Sequence, residues 1–367
     1  MNLDFSEEQK AAGEQVQRLL TGHSGLASAR RALDGRESFD RRLWAELGRA
    51  GWLGATIPEA FGGQALGYET LCCIAQEVGR SMAAIPFGVS AVLVTDALVR
   101  GGADAQRATY LPQLARGERI GALAFVEGNG ALRAASGGCV FADGRLTGVR
   151  TGVSDGMSAD FFLVLARSDG QPGLYLVEGT AAGLYREPQQ GIDPAHAPAR
   201  LRLQGVIADP LPGLIGWSAL ERLLDRAAVL VAFEQVGAAD AALEMATNYA
   251  RSRYAFGRLI GSFQSLKHKL ADVYVANELA RANAYYGAWA LESEAPTLPL
   301  AAAAARVSAT EALERASREL IQTHGGIAVT WEHDAHLFYR RAQHLALMLG
   351  GLREWQYRLV AQLARAA

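Results

Sequence analysis

The sequence predicts a mainly α-helical protein with a β domain at its centre, and three observations carry that expectation. Residues 6–119 and 217–367 space their apolar positions as helices do, whereas residues 120–216 break into short apolar runs divided by turn dipeptides. The chain has 367 residues, half of them apolar, enough for two or three packed layers around a substantial core. Helices, then strands, then helices imply three domains, at 1–119, 120–216 and 217–367, the last an antiparallel helical bundle.

The first helix opens at Ser6-Glu-Glu-Gln9, a capping box in which Ser6 and Gln9 satisfy each other's orphan backbone donors. Gly51-Trp-Leu-Gly-Ala-Thr-Ile-Pro-Glu-Ala-Phe-Gly-Gly63 is a break, because its glycines permit backbone angles that other residues resist. In the central domain, Ala122 to Val126 and Phe161 to Ala166 read as strands, with turns at Asp143-Gly144 and Asp169-Gly-Gln-Pro-Gly173. A second capping box, Ser218 to Glu221, is expected to start the next helix. Its stripe of Leu220, Leu223, Leu224, Ala227, Leu230 and Val231 is expected, with the later bundle helices, to bury apolar surface against another protomer. Two further long helices are predicted at about 263–293 and 300–323, then a shorter one to the C-terminus.

Thirty-six basic and 38 acidic residues leave a formal charge of −2 without a long single-sign run, so no electrostatic footprint for nucleic acid is present. Cys72, Cys73 and Cys139 lack metal-ligand spacing, which fits a reduced, cytoplasmic setting. The start MNLDFSEEQK does not read as a signal peptide, and no apolar run approaches the ~20 residues that cross a bilayer, so a soluble protein is expected.

Two clusters have residue types suited to ligand chemistry. In Arg251-Ser-Arg-Tyr-Ala-Phe-Gly-Arg-Leu-Ile-Gly-Ser-Phe-Gln264 one long helix ends and the next begins, and an arginine fork there suits a pyrophosphate. The competing reading is that Arg251 and Arg253 offset the negative end of a helix dipole, with Phe256 and Phe263 as core residues. In Gln322-Thr-His-Gly-Gly326 paired glycines let a ligand approach the backbone, although Gly325 also suits a plain helix C-cap and His324 a hydrogen-bonded structural role.

Taken together, and in this order, these segments resemble the acyl-CoA dehydrogenase family over nearly the whole chain. Leu47-Gly48 to Gly63 is similar to the family's N-domain signature, and Tyr110-Leu-Pro-Gln-Leu-Ala-Arg-Gly-Glu118 to the passage into its β domain. Arg253-x-x-Phe-Gly-x-x-Ile-x-x-Phe-Gln264 and Gln322-x-x-Gly-Gly326 match its two C-domain motifs. The resemblance implies a helical domain, a small β domain and a four-helix bundle, an acyl-CoA substrate, FAD as cofactor, and electron-transfer flavoprotein as electron acceptor. It also implies that Arg253, Phe256, Gln264, Gln322, Gly325 and Gly326 reach across an interface to a neighbour's FAD. Arg253 would hold the pyrophosphate, Phe256 and Gln264 would line the cofactor, and the Gln322 motif would sit near its adenosine half.

The pattern fails where the family places its chemistry. Dehydrogenation removes the α proton of the thioester while hydride leaves the β carbon, which requires a positioned carboxylate. Aligned forward from Gly325-Gly326, the usual glutamate falls on Leu349, and the alternative base position falls on Ala227. Asp225, Glu234 and Glu354 are the acids placed to substitute; Glu221, Glu332 and Asp334 have capping or turn roles. The family's Thr-Glu-Pro region is Phe125-Val-Glu-Gly-Asn-Gly130, and its Trp-Ile-Thr motif is Gly152-Val-Ser154, which leaves only the Ser154 hydroxyl to contact the flavin ring. Losses confined to the chain's own half-site resemble the base-less subunits of heteromeric acyl-CoA dehydrogenases, including those acting on steroid side chains, as do His333-Asp-Ala-His336 and Leu349-Gly-Gly351. The implied partner is a paralogous chain. The alternatives are a homo-oligomeric dehydrogenase with a relocated base and an interaction protein that has lost FAD.

Overall fold

The protein is described by a computed structural model covering residues 4–23, 25–125 and 138–366. The chain divides into two compact units: residues 1–34, 68–83 and 228–367, and residues 35–67 and 84–227. Mostly helix with a central sheet, it has the predicted fold class.

The second unit contains α3 (Arg41–Arg49), α5 (Thr95–Gly101), α6 (Asp104–Ala115) and the sheet. Its strands are β1 (Gly121–Ala124), β2 (Cys139–Ala142), β3 (Arg145–Val153), β4 (Phe161–Ser168), β5 (Gln171–Glu178), β6 (Leu184–Pro188), β7 (Ala199–Ile207) and β8 (Asp209–Ile215). They run in the order β6-β7-β3-β2-β4-β5-β8, with β1 parallel to β4. Phe161 to Ala166 are all fully buried, which is why β4 reads as an unbroken apolar run rather than an alternating one. Asp143-Gly144 and Asp169-Gly170 both adopt positive φ, the geometry a two-residue hairpin turn requires, and they join β2 to β3 and β4 to β5. The second turn is shorter than the sequence suggested, since Gln171, Pro172 and Gly173 already pair in β5. In the first predicted strand, Gly121–Ala124 is β1, and Val126 lies outside the described residues, as does the rest of Val126 to Gly130. The Gly51–Gly63 break holds two short 3-10 turns, Trp52–Gly54 and Glu59–Phe61, and a Cβ at Gly63 would lie 2.0 Å from the Ile57 carbonyl oxygen.

The first unit holds α1 (Glu7–His23), α2 (Gly25–Leu33), α4 (Gly67–Ser81), most of α7 (Trp217–Ser252), α8 (Gln264–Glu292), α9 (Leu298–His324), α10 (Ala335–Leu347) and α11 (Leu352–Ala366). The first capping box forms as expected: Ser6 N–H donates to Gln9 Oε1 at 2.7 Å, and Gln9 N–H to Ser6 Oγ at 3.2 Å. The second does not cap its helix. After Gly216, at φ +87, α7 already begins at Trp217, and Ser218 lies inside it accepting a hydrogen bond from Arg222 at 3.3 Å. The predicted final helix is two, because the chain turns at Met348–Gly351, where Gly350 takes φ +93.

Inside this unit α9 packs against α8, α10 and α11. Helices α4 and α7 cross at paired glycines: a Cβ on Gly79 would lie 1.9 Å from the Glu234 carbonyl oxygen, and one on Gly237 1.9 Å from that of Gln76. The stripe expected to meet another protomer is instead buried within this chain, none of Leu220, Leu223, Leu224, Ala227, Leu230 and Val231 being more than 3% exposed. Helical periodicity marks a covered face without saying whose atoms cover it. Exposed apolar side chains of the bundle include Tyr274, Val275 and Leu279 on α8, Leu347 on α10, and Tyr357, Val360 and Leu363 on α11.

Candidate functional site

Arg253 stands one residue past α7, where its backbone N–H closes the helix on the Tyr249 carbonyl at 2.9 Å and its own carbonyl accepts from Ile260 N–H at 2.9 Å. A two-residue ladder, β9 (Tyr254–Ala255) with β10 (Arg258–Leu259), then carries the chain through Phe256 and Gly257, both at positive φ. Phe256 is 94% exposed, which excludes the core reading for that ring. Arg258 lies over Phe263 at 4.0 Å from the ring centroid, and Gln264 begins α8 with its side chain exposed. Arg253 is exposed and, among the described residues, its guanidinium has no acid partner.

The second segment ends α9. His324 is buried, and its Nδ1 lies 2.9 Å from the Leu320 carbonyl oxygen, so the proton sits on Nδ1. Burial holds its pKa below the ordinary imidazole value, only partly offset by that hydrogen bond. Gly325 follows at φ +68, its N–H bonded to the Ile321 carbonyl, a conformation that favours glycine. Gln322, Gly325 and Gly326 are exposed, and a Cβ on either glycine would meet nothing within 4 Å, leaving the backbone open.

The structure brings the two segments together through a contact that sequence reading missed. Tyr249, one turn before Arg253, stacks on His324 with ring centroids 4.0 Å apart and 22° between planes. Tyr249 lies four residues before Arg253, at the end of α7, but no local pattern pairs its ring with His324. Ser154 is not part of that cluster. It is half-buried in the other unit directly after β3, beside Asp155, which is held at φ +57 and pairs with the buried His196 Nδ1 at 3.2 Å.

Leu349 and Ala227, which stand where the resemblance places a base, cannot take a proton, and both are 2% exposed. Leu349 lies in the α10–α11 turn, its carbonyl accepting from Trp355 Nε1 at 3.0 Å. Of the acids placed to substitute, Glu234 is buried with Arg341 at 4.0 Å, and its charge offsets the burial that lowers Arg306 to about 10. That environment favours a fixed carboxylate in a structural network over a proton shuttle. Arg341 also reaches the Ala83 carbonyl, and Arg306 donates to Gln235 Oε1 at 2.6 Å and Thr310 Oγ1 at 3.1 Å. Asp334 is committed to Arg30.

Sequence models for the N-terminal and C-terminal acyl-CoA dehydrogenase domains match residues 6–118 and 215–364, so the chain belongs to the acyl-CoA dehydrogenase family, whose members depend on FAD. It is 36% identical over 360 residues to acyl-CoA dehydrogenase IpdE2 of Mycobacterium tuberculosis, covering 97% of both chains. Among solved structures, the ChsE4–ChsE5 complex of Mycobacterium tuberculosis superposes with a TM-score of 0.90 at 28% identity, over 99% of each chain. A variant of the Tcur3481–Tcur3483 steroid ACAD gives 0.89 at 32% identity, over 98% of each chain.

The chemistry of the residues present is compatible with FAD. An exposed guanidinium without an acid partner suits an anionic pyrophosphate, and an exposed ring with open glycine backbone suits a flat, amide-seeking ligand. Among the described residues no helix is long and apolar enough to cross a membrane.

Proposed function

We propose that this chain is a subunit of a heteromeric, FAD-dependent acyl-CoA dehydrogenase in which it completes a paralogous partner's flavin site and supplies no base. The observation that carries this reading is an asymmetry. Arg253, Phe256, Gln264, Gln322, Gly325 and Gly326 all face solvent, whereas positions 227 and 349 hold buried alanine and leucine. In this assembly Arg253 grips the pyrophosphate, Phe256 and Gln264 line the cofactor, and the Gln322 motif meets the adenosine half. Ser154 retains one hydroxyl contact on the chain's own side. When bound, FAD supplies the acceptor for the hydride that leaves the acyl β carbon, and the α proton goes to a carboxylate of the partner. The similarity to the Tcur3481–Tcur3483 steroid ACAD supports a steroid acyl-CoA as substrate, and that to the ChsE4–ChsE5 complex supports a partner chain. Electron-transfer flavoprotein is the proposed acceptor. Domains of 1–119, 120–216 and 217–367 complete the proposal, with the last presenting the donated contacts.

The test is flavin content and acyl-CoA-dependent bleaching of the chain purified alone and co-expressed with a glutamate-bearing paralogue. Alone it is expected to be flavin-poor and inert, and the co-expressed assembly yellow and reducible. Stoichiometric FAD reduced by acyl-CoA in a verified homo-oligomer would refute the proposal in favour of a relocated base. A colourless assembly with the natural partner would favour a non-catalytic interaction protein.

A further inference from the structure

Tyr249 belongs to neither sequence motif, yet it touches both. Its carbonyl receives the Arg253 N–H at 2.9 Å, fixing where the chain leaves α7, and its ring lies on His324 in a near-parallel stack at 4.0 Å. His324 is held in turn by its bond to the Leu320 carbonyl at 2.9 Å, and the next residue's N–H closes α9 on Ile321. His324 also meets the His333 ring, tilted at 59° with centroids 4.8 Å apart, and His333 Nδ1 accepts the Ala335 N–H at 3.1 Å, at the start of α10. Three rings in successive contact thus join the end of α7, the end of α9 and the beginning of α10.

The residues on either side of these rings are exposed and pack little of their own surface. Arg253, Phe256, Gly325 and Gly326 therefore have few contacts of their own to set their mutual placement. We propose that the Tyr249–His324 stack is a positioning clamp, holding the Arg253 segment and the Gly325-Gly326 turn at the one separation at which both engage a single FAD. Tyr249 and His324 do not touch the cofactor; they act through the residues they hold. The inference rests on the proposed donation of these segments to FAD. It adds two residues to that reading and a reason why they belong together. A stack suits the task because ring faces resist tilting and sliding in a way that branched aliphatic contacts do not.

The experiment compares Tyr249→Phe, Tyr249→Leu, His324→Phe, His324→Leu and the double leucine variant, each in the assembly purified through this chain. FAD is stripped and titrated back, and the apo melting temperature is recorded for each. The phenylalanine variants keep a ring face and are expected to hold FAD within about threefold of wild type. Each leucine variant is expected to weaken FAD roughly tenfold with little change in apo melting temperature. The double variant should be no worse than either single, because both remove the same contact. Leucine variants with wild-type FAD affinity would overturn the clamp. So would losses that follow melting temperature across all five variants, which is the mark of a merely structural pair. If leucine prevents assembly, the phenylalanine pair decides: retained affinity supports the clamp, and FAD release accelerated by phenylalanine overturns it. Arg253→Ala, measured in parallel, separates the two levels of argument. Full flavin retention there defeats the proposed function itself, whereas release from Arg253→Ala with retention in the leucine variants defeats the clamp alone.

Discussion

Replacing Arg253 with alanine separates a donated cofactor contact from a charge that only complements a helix end. The backbone at this position is anchored independently of the side chain, by the bonds to Tyr249 and from Ile260, both 2.9 Å. The side chain is exposed, so truncation opens no cavity, and loss of a dipole contact would cost about 0.3–1 kcal/mol of stability. A bidentate, charge-assisted contact to a phosphate contributes about 2–3 kcal/mol, so its loss weakens FAD roughly a hundredfold. The two readings thus differ in which quantity moves. In the assembled protein, Arg253→Ala is expected to release flavin, read as FAD per assembly after desalting, while the apo melting temperature stays nearly constant. Arg253→Lys restores charge without the fork and should recover only part of the affinity. Full flavin occupancy in Arg253→Ala, with a small loss of stability, would refute the donated contact.

Two further outcomes test the fold. Gly237→Ala would push a methyl to 1.9 Å from the Gln76 carbonyl oxygen, and backbone cannot rotate away, so α4 and α7 must separate at a cost of about 1–3 kcal/mol, read as a lower melting temperature. Gly22→Ala on α1, with nothing within 4 Å, is the control and should be neutral or slightly stabilising; equal losses in both would refute the close-crossing argument. For pH, burial depresses His324 below its ordinary 6.5, so the unfolded chain binds this proton more readily than the folded one. The stability this site contributes is present above pH 6.5 and is lost as pH falls through the folded value. Melting temperature should therefore fall on acidification below neutrality, and less steeply in His324→Phe; an unchanged slope in that variant would count against the buried neutral imidazole.

What was legible in the sequence was what local chemistry decides. Asp143-Gly144 and Asp169-Gly170 announce hairpins because a two-residue turn needs positive φ, and Ser6 with Gln9 announces a helix start because the two side chains answer each other's backbone donors. Pro172 and Gly173 misled, since both count as turn formers, yet here they pair opposite Arg167 and Ala166 in a regular ladder. The stripe from Leu220 to Val231 misled in a more instructive way. Its period identifies a buried face, but the identity of the burying atoms is a tertiary fact, and this chain supplies them itself. The Tyr249–His324 stack was illegible for the same reason, joining two helices whose approach no local pattern encodes.

The motif residues were legible because their demands are local, and their exposure bears on why they are there. Phe256 is a non-glycine residue at φ +52, a backbone state that costs an L-residue about 1–2 kcal/mol. Its ring is 94% exposed and so forgoes the roughly 1.5–3 kcal/mol that full burial of such a side chain contributes. Gly257 beside it, at φ +77, shows that the turn is set by backbone geometry, while the ring itself meets Phe263 edge-on with centroids 6.3 Å apart. A hairpin that accepts strain and displays most of an aromatic ring to solvent gains little from either in isolation. Both costs are offset only when a second surface covers the ring, which is the physical ground for placing these residues against a partner's cofactor.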